Sequence, residues 1–480
     1  MRNTTPFFAG FHRLLFGRAQ RSAQEQLLAQ KRAFEQATLC QLGRACAPWV
    51  PTRLLAPRER GHHSRRRLFP QSLTFWAFLS QILAPGSTCR QTVRKVQAWY
   101  TARRLSRPAS DTGAYCRARC RLPLDTVQRV HRHTADELQR RVSRDQLWCG
   151  RRVKVIDGTG ISMPDTPKNQ RAFPQSSTQK KGCGFPTAKL VGCFCLHSGA
   201  LLHWAEGTLH VHEKKLFRKL FGFFEPEDVA LTDRGFCSYV DIATLRREKV
   251  DTVMRQHQAR SHDLRKGKRL GPKDRLVTWH KPRQRPRGCT PTDWRRAPDT
   301  LTLRLVFVSV NIPGFRTQSF VVVTTLLDPI AYPPEELAKL YLRRWAVELF
   351  FRDIKITLGM DVLRCQTPAM VRKEIVMHAI AYNLIRALMQ QAAALYHVPI
   401  ERLSFKGSVD TLREWTGTFD AAHNRPREQT RLFNQLLQIL AEDIVPFRPE
   451  RAEPRVRKRR PKAYPLMTKP RRQYHLAWRS

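Results

Sequence analysis

Acids are scarce in this chain: 39 Asp and Glu stand against 86 Lys and Arg in 480 residues, a formal net charge of +47. Such an excess opposes compaction by self-repulsion, so it calls for a polyanionic partner. Arg far outnumbers Lys, which suits bidentate contacts to phosphate. Long apolar runs are missing too. Nothing approaches the roughly 20 residues needed to span a bilayer, and no long basic amphipathic helix argues for a membrane surface. Met1-Arg-Asn-Thr-Thr-Pro-Phe-Phe lacks a signal-peptide layout. The expected location is therefore the cytosol or, in a bacterium, the nucleoid. The 12 cysteines are dispersed. Cys116/Cys120 and Cys193/Cys195 are close pairs, but neither has a second pair at zinc-site spacing. They read as reduced thiols. His210 and His212 alternate like strand residues rather than metal ligands.

What is present is a switch in periodicity near residue 150. Upstream the pattern is helical: 73–83 is apolar and closed by Pro85-Gly86. Thr88 can cap a helix over 91–103. A short helix carries Tyr115, and 124–142 is longer, with arginines outward. This region, 1–145, is expected to be a helical domain that contacts DNA ends. Downstream come strands at 153–157, 190–196 and 201–209, a helix at 212–221 and a strand at 228–233. A helix at 238–249 and a strand at 251–256 complete the series. Three strands, a helix, a strand, a helix and a strand is the order of an RNase H-like domain. The fold class is thus α/β, with the first part of an RNase H-like core at 146–256. A β-rich insertion follows at 257–330, with a basic, loop-like lead-in bearing Trp279 and Trp294. The second part of the core spans 331–400, and a C-terminal helical region and basic tail span 401–480. The tail segment from Arg455 to Lys462 is rich in cations and suited to phosphate.

One helix carries the chemistry. It contains Tyr341, Arg344, Glu348 and Lys355. At ~100° per residue these four fall within roughly 60° of one another, whereas Asp353 lies roughly 140° from Glu348. One face therefore holds a lone carboxylate among phosphate-binding groups. Two further acids, Asp157 and Asp233, each sit at the C-terminal end of a predicted strand, where an α/β sheet presents side chains to a ligand. Gly158 follows the first, and Arg234-Gly235 the second. Taken singly, a strand-end Asp is more often a turn residue than a ligand. Taken together, Asp157, Asp233 and Glu348 form an oxygen-only donor set, which selects Mg²⁺ or Mn²⁺ over zinc. Two such ions about 4 Å apart can drive phosphodiester chemistry. Arg344 and Lys355 would hold phosphates of the cut strand, and Tyr341 would hydrogen-bond a neighbouring one.

Tyr341, Arg344, Glu348 and Lys355 match Tyr-x2-Arg-x3-Glu-x6-Lys without a gap. In this the chain resembles the DDE transposases of bacterial insertion sequences, the group called the IS-four family. Asp157-Gly-Thr-Gly is similar to that family's first-aspartate motif, and Leu231-Thr-Asp233-Arg-Gly-Phe to its second. The β-rich insertion and the basic end also fit. The resemblance implies binding of terminal inverted repeats in double-stranded DNA, a homodimer on paired ends, metal-dependent cleavage and strand transfer into target DNA. It also implies a hairpin intermediate, with a base flipped onto an aromatic of the insertion. Trp279 and Trp294 are the candidates, since base stacking contributes ~1–3 kcal/mol. Arg234 is counted with the DNA-binding residues. Three other readings stand beside it: a nuclease that cuts without joining, which would share the acids; an inactive DNA-binding descendant, against which the intact Asp157, Asp233 and Glu348 argue; and a basic structural nucleoid protein, which would have no use for this carboxylate placement.

Overall fold

The computed structural model describes residues 49–56, 68–102, 105–260, 266–286, 288–310, 319–422, 425–446, 466–470 and 473–474. The basic segment 455–462 lies outside them. The chain divides into two compact units. One gathers the described residues of Met1–Leu138, Asp353–Met360 and Ala369–Val445, and the other those of Gln139–Arg352, Asp361–Pro368 and Pro446–Ser480.

The first unit is helical. The Gln71–Leu83 helix is apolar on nearly every side, and eleven of its residues are buried. Its neighbour, Cys89–Ala102, buries one stripe of Val93, Val96, Trp99 and Tyr100. Thr88 caps this helix reciprocally with Gln91: each side chain meets the other residue's backbone N–H, at 2.7 and 3.2 Å. Gly113–Arg121 adds Tyr115, whose hydroxyl donates to Gln81 at 2.9 Å. Leu124–Arg140 follows, with its arginine-bearing face outward. The centre of this unit is the 29-residue helix Pro368–Tyr396. It is buried on all sides over much of its length, as expected for a helix without a polar face. Phe405–Ala421 and Pro426–Glu442 complete the unit. Among the described residues no helix is long and apolar enough to cross a membrane.

The second unit is built on one nine-stranded sheet. Its strands are β1 (Val153–Ser162), β2 (Thr187–Cys195), β3 (Leu201–Thr208), β4 (Val229–Thr232), β5 (Asp251–Arg255), β6 (Lys268–Gly271), β7 (Asp274–His280), β8 (Thr300–Ser309) and β9 (Ser319–Thr324). The spatial order is β3-β2-β1-β4-β5-β9-β8-β7-β6. β1, β4 and β5 are parallel, and the remaining pairs are antiparallel. β4, the first four residues of β1 and the middle three of β5 are buried, as parallel strands covered on both faces must be. One of them, Lys154 on β1, is charged. Its ammonium is buried against Asp228 at 2.6 Å and donates to the Phe223 carbonyl at 2.8 Å.

Two expectations need correction. The lead-in to the insertion is not all loop, because β6 and β7 form a hairpin there that pairs onto β8 and extends the same sheet. Its cationic composition hid it, since an outer strand tolerates charge that a central one would not. Nor is the Tyr341–Lys355 segment one uniform helix. Pro334–Arg343 ends, the chain tightens, Ala346–Arg352 resumes, and Asp353–Thr357 widens into a π-turn. The tightening consists of i to i+3 bonds, from the Arg344 N–H to the Tyr341 carbonyl and from the Glu348 N–H to the Trp345 carbonyl, each 3.1 Å. The widening shows in the Leu358 N–H bonding the Asp353 carbonyl at 3.0 Å. Every residue here tolerates α-helix, so periodicity carries no sign of either change. Asp353, on a different face from Glu348 by the helical count, is buried.

Candidate active site

The register of two strands brings the first two acids together. On the parallel pair β1 and β4, Val155 lies opposite Leu231 and Ile156 opposite Thr232. Asp157 and Asp233 are each the next residue, level with one another on neighbouring strands ~4.8 Å apart. Each then anchors one carboxylate oxygen on a nearby glycine. Asp157 Oδ1 accepts from the Gly158 N–H and Asp233 Oδ1 from the Gly235 N–H, both at 2.8 Å. A Cβ at Gly158 would lie 2.8 Å from the Glu213 carboxyl carbon, so a side chain there would displace the Glu213 carboxylate.

Glu348 arrives on the Ala346–Arg352 helix, which docks through aromatic rings. Phe350 and Phe351 pack on Phe194 of β2, with centroids 5.5 and 5.1 Å away. Gly192 is the residue directly opposite Asp157 in the β1–β2 register. A Cβ at Gly192 would stand 3.1 Å from Phe351 Cζ and 2.8 Å from Phe194 Cε2. The missing side chain lets the helix approach the sheet beside the first acid. Sequence reading passed over Gly192, although a glycine inside an apolar strand is a known mark of close approach.

Arg344 links two of the three acids. Its guanidinium lies 3.8 Å from Asp157 Oδ2 and 3.9 Å from Glu348 Oε1. Both distances exceed a hydrogen bond, so the cation balances charge without binding tightly. Arg344 is buried, Asp157 partly so, and the Glu348 side chain is 52% exposed. Burial is the chief cause that pushes the Asp157 carboxyl up to about 6; the Gly158 N–H and Arg344 oppose it, while Asp233 and Glu348 add to it. The last two causes show that the three carboxylates feel one another. Tyr341 lies beneath, 4% exposed, with its ring 4.9 Å from Phe320. Burial pushes its hydroxyl up to about 12, and the charge of Asp233 adds to the effect.

The remaining predicted residues are spread more widely. Arg234 is exposed directly after Asp233. Lys355 falls on the π-turn, in the other compact unit. Trp279 lies on β7, is only 8% exposed, and has the Arg260 guanidinium 3.8 Å from its ring centre. Trp294 lies on the short Pro291–Arg296 helix, with the Lys281 ammonium 4.9 Å from its ring. One exposed aromatic that the sequence reading did not single out also lies here: Trp345 is 39% exposed, and its ring lies 5.0 Å from the Arg344 guanidinium.

The donor chemistry fits a hard divalent cation, since every candidate ligand is a carboxylate oxygen. Among the described residues, no three acidic, histidine or cysteine side chains already close on one cation position. The Arg344 guanidinium, near both Asp157 and Glu348, supplies the positive charge instead.

A model of the transposase DDE domain matches residues 148–384, a span that includes all three acids. The chain is also 28% identical over 442 residues to the transposase InsG of insertion sequence element IS4 from Escherichia coli K12, covering 90% of this chain and 94% of that one. Both matches are to DDE transposases, and the chain is similar to the IS4 transposase over nearly its whole length. A piggyBac transposase, solved as a synaptic complex with hairpin DNA, aligns with this chain at 10% identity and a TM-score of 0.40, covering 86% of this chain and 85% of the other.

Proposed function

We propose that this chain is a DDE transposase of the IS4 kind, which cuts double-stranded DNA at the ends of its insertion sequence and joins those ends to target DNA, using Asp157, Asp233 and Glu348 as the ligands of Mg²⁺ or Mn²⁺. The observation that carries the reading is the β1–β4 register, which sets Asp157, midway along β1 rather than at its end as the sequence suggested, level with Asp233 just past the end of β4. Glu348 and the shared Arg344 complete it. The strand order β3-β2-β1-β4-β5 supports an RNase H-like core, on which β6–β9 form the insertion. The unit holding the helices of residues 71–140 is then the candidate reader of the terminal inverted repeats, and two copies would pair two ends. Two bound divalent cations would supply Lewis-acid stabilisation and an activated water or 3′-hydroxyl.

The chain's own groups have separate tasks. Asp157 and Asp233 are held by their glycines so that one oxygen of each stays available. Glu348 is the most exposed of the three and can adjust to the ligand it meets. Arg344 neutralises the acids in the metal-free protein and, once a cation replaces it, is placed to hold a phosphate of the cut strand. Tyr341 supports Arg344 from below. Lys355 and Arg234 remain candidates for phosphate contacts. Trp279 could accept a flipped base only after Arg260 leaves its ring.

The test is incubation of purified full-length protein with Mg²⁺ and labelled duplex bearing an element end, with Glu348→Gln alongside. A metal-dependent cut at the boundary plus a joined product, both absent in the variant, is the expected result. A cut without joining in any condition makes the protein a nuclease. Binding without any cut, with Mg²⁺ or Mn²⁺ and paired ends, removes the catalytic reading.

A further inference from the structure

The segment from 174 to 186, between the Pro167–Ala172 helix and β2, is a loop whose ends meet. The Thr187 N–H bonds the Phe173 carbonyl at 3.2 Å, closing it into an Ω shape. Its interior is filled by glutamine amides. Gln170 donates to the Gly184 carbonyl at 3.0 Å and accepts from the Gln175 N–H at 3.1 Å. Gln175 accepts from the Gly182 and Gly184 N–H groups at 3.0 and 3.2 Å. It also donates to the Gln179 and Lys180 carbonyls at 3.1 and 2.9 Å. Gly182 takes a left-handed φ of +79°, and Gly184 has no room for a side chain beside Gln179.

This ordering is out of proportion to what the loop buries. It projects from the sheet and contributes little core, so the conformational entropy given up in ordering it needs another justification. What the loop holds in place is Phe185, 64% exposed, with exposed Lys180 and Lys181 beside it. Neither lysine has an ion-pair partner among the described residues. Pro470, from the basic end of the chain, packs at Gly182, its Cγ 3.2 Å from where a Cβ would stand, and brings exposed Lys469 close by. An exposed aromatic on the same ordered loop as two cations without ion-pair partners is the chemistry of a duplex contact: the cations meet phosphates, and the ring enters between bases.

We infer that the 174–186 loop is a second DNA-contact element, in which Lys180 and Lys181 hold the backbone and Phe185 wedges into the duplex near the cut. The sheet supplies a ruler. Thr187 is five residues along β2 from Gly192, which faces Asp157. That is about 17 Å, the rise of about five base pairs. The inference rests on the reading of Asp157, Asp233 and Glu348 as the cleavage centre, and it locates a base-step distortion about five pairs away.

The experiment uses the full chain and end-bearing duplexes with 2-aminopurine placed singly at each of the first ten or so positions from the boundary. Wild type is expected to brighten the probe near the fifth position. Phe185→Ala is expected to abolish that signal and weaken binding by roughly 5- to 150-fold, the effect of losing one aromatic–base contact. Its salt dependence should stay that of wild type, and Phe185→Tyr should restore both properties. Lys180→Ala is expected to reduce the salt slope by about one unit, because it removes one phosphate contact. Since Phe185 is exposed, equal thermal melting of wild type and variant separates contact from folding. Wild-type binding with an unchanged probe signal and affinity in Phe185→Ala overturns the loop's role and leaves the cleavage reading intact. Failure of wild type to bind the duplex at all overturns both.

Discussion

Two arginine–carboxylate sites on the same sheet are built in opposite ways. Arg304 of β8 is fully buried and grips Asp274 of β7 through two nitrogens, Nε at 2.9 Å to one oxygen and Nη2 at 2.6 Å to the other. Its remaining nitrogen donates to the Tyr332 carbonyl at 2.7 Å. One cation, one anion and the surrounding carbonyls leave little unsatisfied. Arg344 instead stands between two carboxylates, 3.8 and 3.9 Å away. A buried pair kept for stability is tight and saturated. A carboxylate group kept for a ligand is left short of partners, so that the ligand supplies what the fold withholds. Perturbed acids collect at functional sites for this reason.

Four variants break or sharpen the contrast. Glu348→Gln should have the largest effect, lowering end cleavage roughly 10⁴-fold or more, about 5 kcal/mol of barrier, with DNA affinity little changed. Cleavage time courses beside equilibrium binding check it, and equal loss of both would undo the assignment. Arg304→Leu should leave the buried Asp274 charge alone and destabilise the fold by about 3–5 kcal/mol. Denaturant titration reads that directly, and a shift below about 1 kcal/mol would mean that the pair is not what closes this part of the sheet.

Asp157→Asn should show the reverse sign in the metal-free protein. Because the folded carboxyl titrates near 6 rather than 3.8, the folded state holds a proton that the unfolded state releases. Wild-type stability from this group is therefore present below about pH 4 and lost as pH rises through 6, by roughly 2–3 kcal/mol. Chemical denaturation at pH 4 and pH 7 in chelator should show that loss in wild type and not in the variant. An identical pH profile in both proteins would contradict it. The smallest effect is expected from Gly192→Ala, at about 1–2 kcal/mol, from crowding Phe351 and Phe194. Since the crowded ring belongs to the helix bearing Glu348, cleavage should fall more than DNA binding. Parallel losses would place the damage elsewhere.

Much of this site was legible in the chain. Asp233 could be read as a strand-end acid because its strand is an apolar run that stops there, whereas Asp157 was picked out for the same reason but lies midway along β1, which continues through Gly158-Thr-Gly to Ser162. Tyr341, Arg344 and Glu348 could be grouped by spacing alone. Other features were not legible. The outer β6–β7 hairpin is masked by Lys and Arg, because burial on one face only leaves a weak pattern. The tightened and widened turns around Ala346–Arg352 are invisible, since the same residues suit ordinary helix. Trp279 could be recognised as an aromatic in the insertion, but its burial under Arg260 depends on a packing partner 19 positions away. Gly192 looked like one more small residue until its register opposite Asp157 was known.

The sequence by itself determined the chemistry: a cationic chain, three acids, and the cations and tyrosine spaced around the last of them. These are properties of residue identity and short spacing, set by local geometry and charge. Only the tertiary structure decided that β1 and β4 pair with Asp157 and Asp233 level, that Gly192 admits the Glu348 helix, and that one guanidinium stands close to two of the acids. Those outcomes depend on contacts between residues far apart in the chain, where strand register and close packing select one arrangement among many with the same local preferences.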